Sequence, residues 1–230
     1  MHQSVTELAP NLFRLTLAEN DKFEFNQFLL LDDKPLLMHA GKQSLFEPLK
    51  NMVAELMDPR DLAYVAFSHF EADESGALNH WLELAPGALC LTGPIGRINL
   101  SDHAIRAPQV LRDGEAVELG RRRLRLVETP HFPHNWDAVL WYEERDRLLF
   151  SSDHCAQGGI CAPLTEEDIS EIAINFAEKG AFIPKGDSTR AAIAKLAGLE
   201  VDMLLPMHGS AVQGQAARQV LDRVGDFLGR

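Results

Sequence analysis

His69, Glu71, Asp73 and Glu74 fall within six residues of one another in the stretch "SHFEADESGALNHW", Ser68 to Trp81. The stretch directly follows the apolar run "LAYVAF", so this negative charge lies beside a strand built for burial. Carboxylates taken out of water need a compensating charge. No Lys or Arg lies near them in sequence. A metal centre is the economical answer, because a cation neutralises the carboxylates and orders the loop that carries them. In an extended chain the side chains at 69, 71 and 73 would share one face. A turn after the strand would instead aim them at two neighbouring metals.

The same residue types recur where other apolar runs end. His131 and His134 follow "RLRLVET", Asp153 and His154 follow "LLFSS", and His208 follows "DMLLP". One histidine near a strand end is usually a structural residue. Four separate strand ends, each delivering a His or a carboxylate, point to a shared site. Around them stand residues with plainer readings. His131 either competes with His134 as a ligand or stands behind it. His154 lines the pocket or points away. Cys155 and Cys161 flank "AQGGI" and read as small core or loop residues rather than redox groups. Ser68 and Ser152 shape turns, and His39 and His103 are structural or surface residues.

The elements that must position these residues follow from periodicity. "NLFRLTL", "FNQFLLLDD" and "KPLLMHA" are β-like. Ser44 to Glu47 has the form of a capping box, and Phe46, Leu49, Met52, Val53 and Leu56 keep helical spacing. Four short strands are expected in the middle: "HAIRAP", "RLRLVET", "DAVLWYEE" and "DRLLFSSD". The last third is helical. Thr165 is expected to cap a helix that buries Ile169, Ile172, Ala173 and Phe176 and ends at Gly180. Asp187 caps a second, ended by Gly198. A strand at "DMLLP" precedes a final amphipathic helix carrying Ala216, Ala217, Val220, Leu221 and Val224. This order suggests two sheets in contact, with helices packed outside.

Composition narrows the function classes. The chain has 230 residues, 46% hydrophobic and 24% charged, enough for one domain with a sizeable core. The net charge is −12, and the only cationic cluster, "GRRRLRL", alternates Arg with Leu as the wet face of a strand does. Nucleic acid is not expected as a partner. No apolar run reaches the ~18 residues that span a bilayer, and the first residues lack the pattern of a secretory signal, so no membrane is expected either. Three cysteines do not make a disulfide framework, and a reducing cytoplasm is expected.

"HFEADE", then "PHFPHNWD", then "FSSD", then "MHG" resembles the metallo-β-lactamase superfamily. That superfamily opens its site with H-x-H-x-D-H, and this chain has Glu71 in place of the second His. The change resembles the flavodiiron and oxygen-binding diiron branch, whose motif is H-x-E-x-D-H. Eighteen residues separate His134 from Asp153, as in that branch, and His134-Asn-Trp-Asp137 mimics its H-x-x-D. The resemblance runs over roughly residues 10 to 215. It implies an α+β fold, an αββα sandwich of two packed mixed β-sheets with helices on the outer faces, in one domain over residues 1–230.

Carried over residue by residue, the resemblance implies that His69, Glu71 and His134 bind a first metal, that Asp153 bridges, and that Asp73 and His208 bind a second. Glu74 departs from the pattern, since the family has His there. Glu74 either ligates the second metal through oxygen, or stands behind it with a water in the vacant place, or leaves that metal weakly bound. Four acidic residues then balance two divalent ions. Oxygen-rich ligation favours iron or manganese over zinc. The resemblance thus implies two metal ions, iron ahead of Zn or Mn, and O2 or NO redox chemistry, or O2 binding and sensing. The relatives append a flavodoxin module with FMN. Too few residues follow His208 here for such a module, so electrons are expected from an external donor protein. The resemblance also implies pairing as a homodimer. The alternative is a metal-dependent hydrolase of an ester or thioester that uses an activated water.

Overall fold

A computed structural model describes all 230 residues. Its first sheet holds β1 (His2–Ala9), β2 (Leu12–Asn20), β3 (Phe23–Leu30), β4 (Leu36–Met38), β5 (Tyr64–Ala66), β6 (Leu89–Thr92) and β7 (Gln109–Val110), in that spatial order. The second holds β8 (Ala116–Glu118), β9 (Arg123–Glu128), β10 (Val139–Glu143), β11 (Leu148–Ser152), β12 (Leu164–Thr165), β13 (Met203–Pro206) and β14 (Ala211–Gln213), in the order β12-β14-β13-β11-β10-β9-β8. Both are mixed: β4, β5, β6 and β7 pair in parallel while β1 to β4 form a meander, and β11 pairs in parallel with β13 but antiparallel to β10.

Successive strand side chains point to opposite faces, and these strands are apolar on both. Leu29 of β3 and Leu37 of β4 face α1 (Phe46–Ala54) and, beyond the four-residue α2 (Ala72–Ser75), α3 (Leu78–Leu84), where they meet Leu49, Met52 and Trp81. Phe28, Leu30, Leu36 and Met38 face the other way and meet Leu124, Leu126, Trp141 and Phe150 of the second sheet. On that sheet Leu140, Leu149 and Leu204 turn outward beneath α5 (Ser170–Gly180), α6 (Asp187–Ala197) and α7 (Gln215–Leu228). The seventh helix, α4 (Pro94–Leu100), follows β6. The layers are α, β, β, α, as expected.

Several local expectations are corrected. "HAIRAP" is a loop: Ile105 donates to the Asn79 side chain, Asn79 donates to the His103 carbonyl, and Arg106 donates to the carbonyls of Ala85 and Ala88. With those hydrogen bonds made to the α3 region, ladder pairing starts only at Gln109. Thr165 does not cap α5, because it pairs with Val212 in β12; Asp168 accepts the Ser170 N–H instead. Ile172 is 55% exposed, off the buried face of α5. Ser44 lies in a one-turn helix before α1, and no side chain caps α1. Asp187 is the first residue of α6 rather than its cap, which is Gly186.

β9, β11 and β13 run in one direction, so their C-terminal ends share one edge of the second sheet. That edge is locked to the first sheet by polar residues of β2 and β3. Asn26 donates from its backbone to the Met207 carbonyl at 2.8 Å, and from its side chain to the carbonyls of Pro206 at 3.1 Å and Gly209 at 2.8 Å. Buried Arg14 donates to Gly209 O, Glu24 and Asn26. Gly209 sits at φ +92, where an added Cβ would lie 2.6 Å from the Cβ of Gln157. Replacing Asn26 by Leu strands the Pro206 carbonyl and weakens the hold on Gly209, which should cost about 2–3 kcal/mol in urea unfolding with the far-UV spectrum kept. A loss under about 0.5 kcal/mol would show that other contacts hold the turn.

Candidate metal centre

His69 follows β5, and its loop is fixed from the opposite sheet. Val139 of β10 donates to the Ser68 carbonyl, and buried Asp137 accepts the Phe70 N–H at 3.0 Å. Glu71 then starts α2, which brings Asp73 and Glu74 into its first turn. The strand ends of β9, β11 and β13 add His134, Asp153 and His208.

These side chains converge. His69 Nε2 lies 2.8 Å from Glu71 Oε2 and 3.6 Å from Asp153 Oδ2. His134 Nε2 lies 2.8 Å from the same Asp153 oxygen and 3.3 Å from Glu71 Oε2. The ligand atoms of His69, Glu71, His134 and Asp153 all lie within 4.8 Å of one another, a spacing that fits one metal ion. The other oxygen of Asp153, Oδ1, lies 3.2 Å from His208 Nε2, which is 3.5 Å from Asp73 Oδ2. Asp153 thus divides its two oxygens between two donor groups. His208 donates from Nδ1 to the Glu24 carbonyl at 2.7 Å, which leaves Nε2 facing Asp153 and Asp73 and free to ligate a metal.

The charges are mutually dependent. Burial alone would lower the proton affinity of His69, but Glu71, Glu74 and Asp153 raise it to about 9. His134 and His208 are raised in the same way, chiefly by Asp153, against burial. Asp153 is held far below the usual carboxylate range by His134 and His208, although burial pushes it up. Asp73 is raised by burial, with Glu74 and Asp153 adding to it against His208.

Glu74 is not among the donors gathered here. It is fully enclosed, and both oxygens are taken: Oε2 by His39 Nδ1 at 2.7 Å and the Ser68 N–H at 2.9 Å, Oε1 by the Ser152 hydroxyl at 2.5 Å. Its oxygen comes no closer than 3.9 Å to His69 Nδ1. His39, read from sequence as a structural or surface residue, is therefore buried beside the centre as the partner of Glu74. It follows β4 as the other histidines follow their strands, and that position was its signal. His131 is exposed and outside the cluster. His154 turns away into the helix-side layer, packed on Phe132 with neither ring nitrogen hydrogen-bonded, and burial lowers its pKa to about 3. Cys155 is buried there too, its thiol pushed up by burial, and Cys161 lies partly exposed. Ser68 and Ser152 shape the site by binding Glu74, as turn residues would. A cleft of about 1120 Å³ lies at the opposite end of the strands and includes none of these residues.

Residues 23–209 match the family model described as ODP family beta lactamase. The chain belongs to the ODP beta-lactamase family. It is 25% identical over 201 residues to the rubredoxin-oxygen oxidoreductase of Megalodesulfovibrio gigas, which covers 83% of this chain and 49% of that one. It is 29% identical over 138 residues to the nitric oxide reductase of Moorella thermoacetica, covering 58% and 34%. Two structures of similar fold are the rubredoxin oxygen:oxidoreductase of Desulfovibrio gigas (TM-score 0.82, 20% identity, 98% of this chain and 61% of that) and the flavodiiron protein of Giardia intestinalis (TM-score 0.84, 19%, 99% and 60%). The chain spans about half the length, or less, of the curated relatives it matches. No helix is long and apolar enough to cross a membrane.

For this ODP-family chain the electrostatics give a pH prediction. A metal ligates only neutral imidazole. His69 without metal holds its proton up to about pH 9, so metal must displace a proton at neutral pH. Anaerobic titration with ferrous iron at pH 7 in a weak buffer should release about one proton or more per chain, and apparent affinity should rise with pH towards 9. No proton release, with affinity flat from pH 6 to 9, would contradict this arrangement.

Proposed function

We propose that this chain holds two iron ions and uses them on O2 or NO, either reducing the gas with electrons from a donor protein or binding it as a sensor. The observation that carries the reading is Asp153, with Oδ2 on the His69–Glu71–His134 group and Oδ1 on the His208–Asp73 group. A carboxylate placed between two sets of donors is built to bridge. His69, Glu71 and His134 would hold the first ion, and Asp73 and His208 the second. Glu74 would brace the centre from behind rather than ligate.

The donor set supports iron. Each group mixes imidazole with carboxylate, and hard oxygen donors suit iron or manganese. A zinc hydrolase favours more imidazole, and Glu71 argues the other way. The names of the relatives, an oxygen oxidoreductase and a nitric oxide reductase, agree. When bound, iron supplies the electrons and the coordination positions for a diatomic ligand. The chain's own residues set its conditions. Glu24 fixes the His208 ring through its carbonyl. Glu74, held by His39, Ser68 and Ser152, keeps a negative charge beside His69 and Asp153, which favours the higher oxidation state. A donor protein and self-association as a homodimer complete the proposal.

Protein from iron-replete cells should carry two irons per chain and, once reduced, give an NO adduct visible by electron paramagnetic resonance. Asp153→Asn, which keeps the shape and removes the shared charge, should lose half or all of the metal while the fold survives. Zinc alone at full occupancy would overturn the redox reading, and full metal retention by Asp153→Asn would overturn the bridge.

A further inference from the structure

His134 and His208 are linked twice. Asp153 joins their Nε2 atoms on one side. On the other runs a chain of three phenylalanines. The Phe23 ring lies 3.9 Å from the His208 ring, tilted by 34°. Phe176 stacks on Phe23 with centroids 5.8 Å apart and 19° between planes. Phe182 meets Phe176 edge-on at 5.8 Å and reaches the His134 ring at 5.7 Å. Six side chains close a circuit around one flank of the centre.

The rings come from three places: the start of β3, the middle of α5 and the turn after α5. All three are only half-buried; Phe23 and Phe182 rest on the edges of the apolar layers and also reach the His208 and His134 rings. Two glycines make room for them. A Cβ on Gly180 would lie 2.5 Å from Phe182 Cδ1, and one on Gly158 would lie 3.3 Å from the Phe176 ring. Ala181 closes α5 at φ +50, a conformation uncommon for a residue with a side chain, and the reversal aims Phe182 back at His134. Phe23 is tied in by a bridge to Gly159, whose N–H donates to the Lys22 carbonyl at 2.8 Å.

Aromatic rings offer an incoming ligand apolar surface and no strong hydrogen-bonding group. The carboxylates Glu71 and Asp73 stand against the same two histidines, 3.3 Å from His134 Nε2 and 3.5 Å from His208 Nε2, and repel anions. A ligand that reaches the centre past these rings meets apolar surface and negative charge, which favours a small uncharged molecule. Resting on the dinuclear reading above, we propose that Phe23, Phe176 and Phe182 are the specificity-determining residues of this site: an aromatic wall that admits a neutral diatomic gas and turns away bulky or anionic ligands.

The test compares the Phe176→Ala/Phe182→Ala double variant with wild type, both loaded with ferrous iron. Two probes are used: NO, and ferrozine, a bulky anionic chelator. Ferrozine should remove iron about tenfold faster from the variant, at a rate proportional to its concentration, while NO association changes less than about threefold. Phe182→Leu, which keeps most of the bulk, should stay near wild type. Stripping of a folded, iron-loaded double variant at the wild-type rate would overturn the proposal. So would faster stripping independent of ferrozine concentration, which means loosened metal rather than an opened path. Should the double variant fail to fold, Phe182→Ala alone is read the same way. Zinc-loaded proteins stripped by 4-(2-pyridylazo)resorcinol give the same comparison without iron. A wall effect there, with no iron bound by the native chain, would overturn the iron reading and leave the wall standing.

Discussion

Two buried carboxylates, Asp153 and Glu74, set the terms for the rest of the structure. Burial pushes the proton affinity of both up, Asp153 adds to that at Glu74, and neither has a Lys or Arg partner. Glu74 is stabilised by protein donors: the Ser68 N–H, the Ser152 hydroxyl and the His39 imidazole. Asp153 is left facing three imidazoles. One carboxylate is satisfied by the fold, and the other turns its oxygens to the imidazole nitrogens of His69, His134 and His208. That division of labour suits Asp153 to a place between two metal ions in the proposed centre, and Glu74, with three protein donors, to a brace behind it.

Holding four strand ends in register demands a stiff frame. The two sheets provide it with three stacked apolar layers, because each central strand is apolar on both faces. Polar contacts then set the fine position. Asn26 and Arg14 draw the Met207–Gly209 turn onto the first sheet, and Asp137 and Ser68 tie the His69 loop to the second. The centre lies where these ties cross, so its geometry depends on both sheets at once.

Much of this was legible in the sequence. Runs such as "LAYVAF" and "DRLLFSSD" mark strands because burial on both faces needs continuous apolar residues. The residues just past them mark the site because α/β architectures place ligands at carboxyl ends of strands. What escaped was tertiary. Thr165 looks like a cap until β14 arrives beside it, and "HAIRAP" looks like a strand until Asn79 and Arg106 use its hydrogen bonds. The role of Glu74 depends on His39, thirty-five residues away, and no local pattern reports that pairing. Nor does local pattern show that Phe23, Phe176 and Phe182 meet.

A crystal structure of the iron-loaded protein, with anomalous maps at the iron edge, tests the central claim most directly. The account predicts two peaks flanking Asp153, one against His69, Glu71 and His134 and the other against Asp73 and His208. Glu74 should still bind His39, Ser68 and Ser152, out of bonding range of either peak. A single peak, or a Glu74 oxygen bonded to iron, would contradict it.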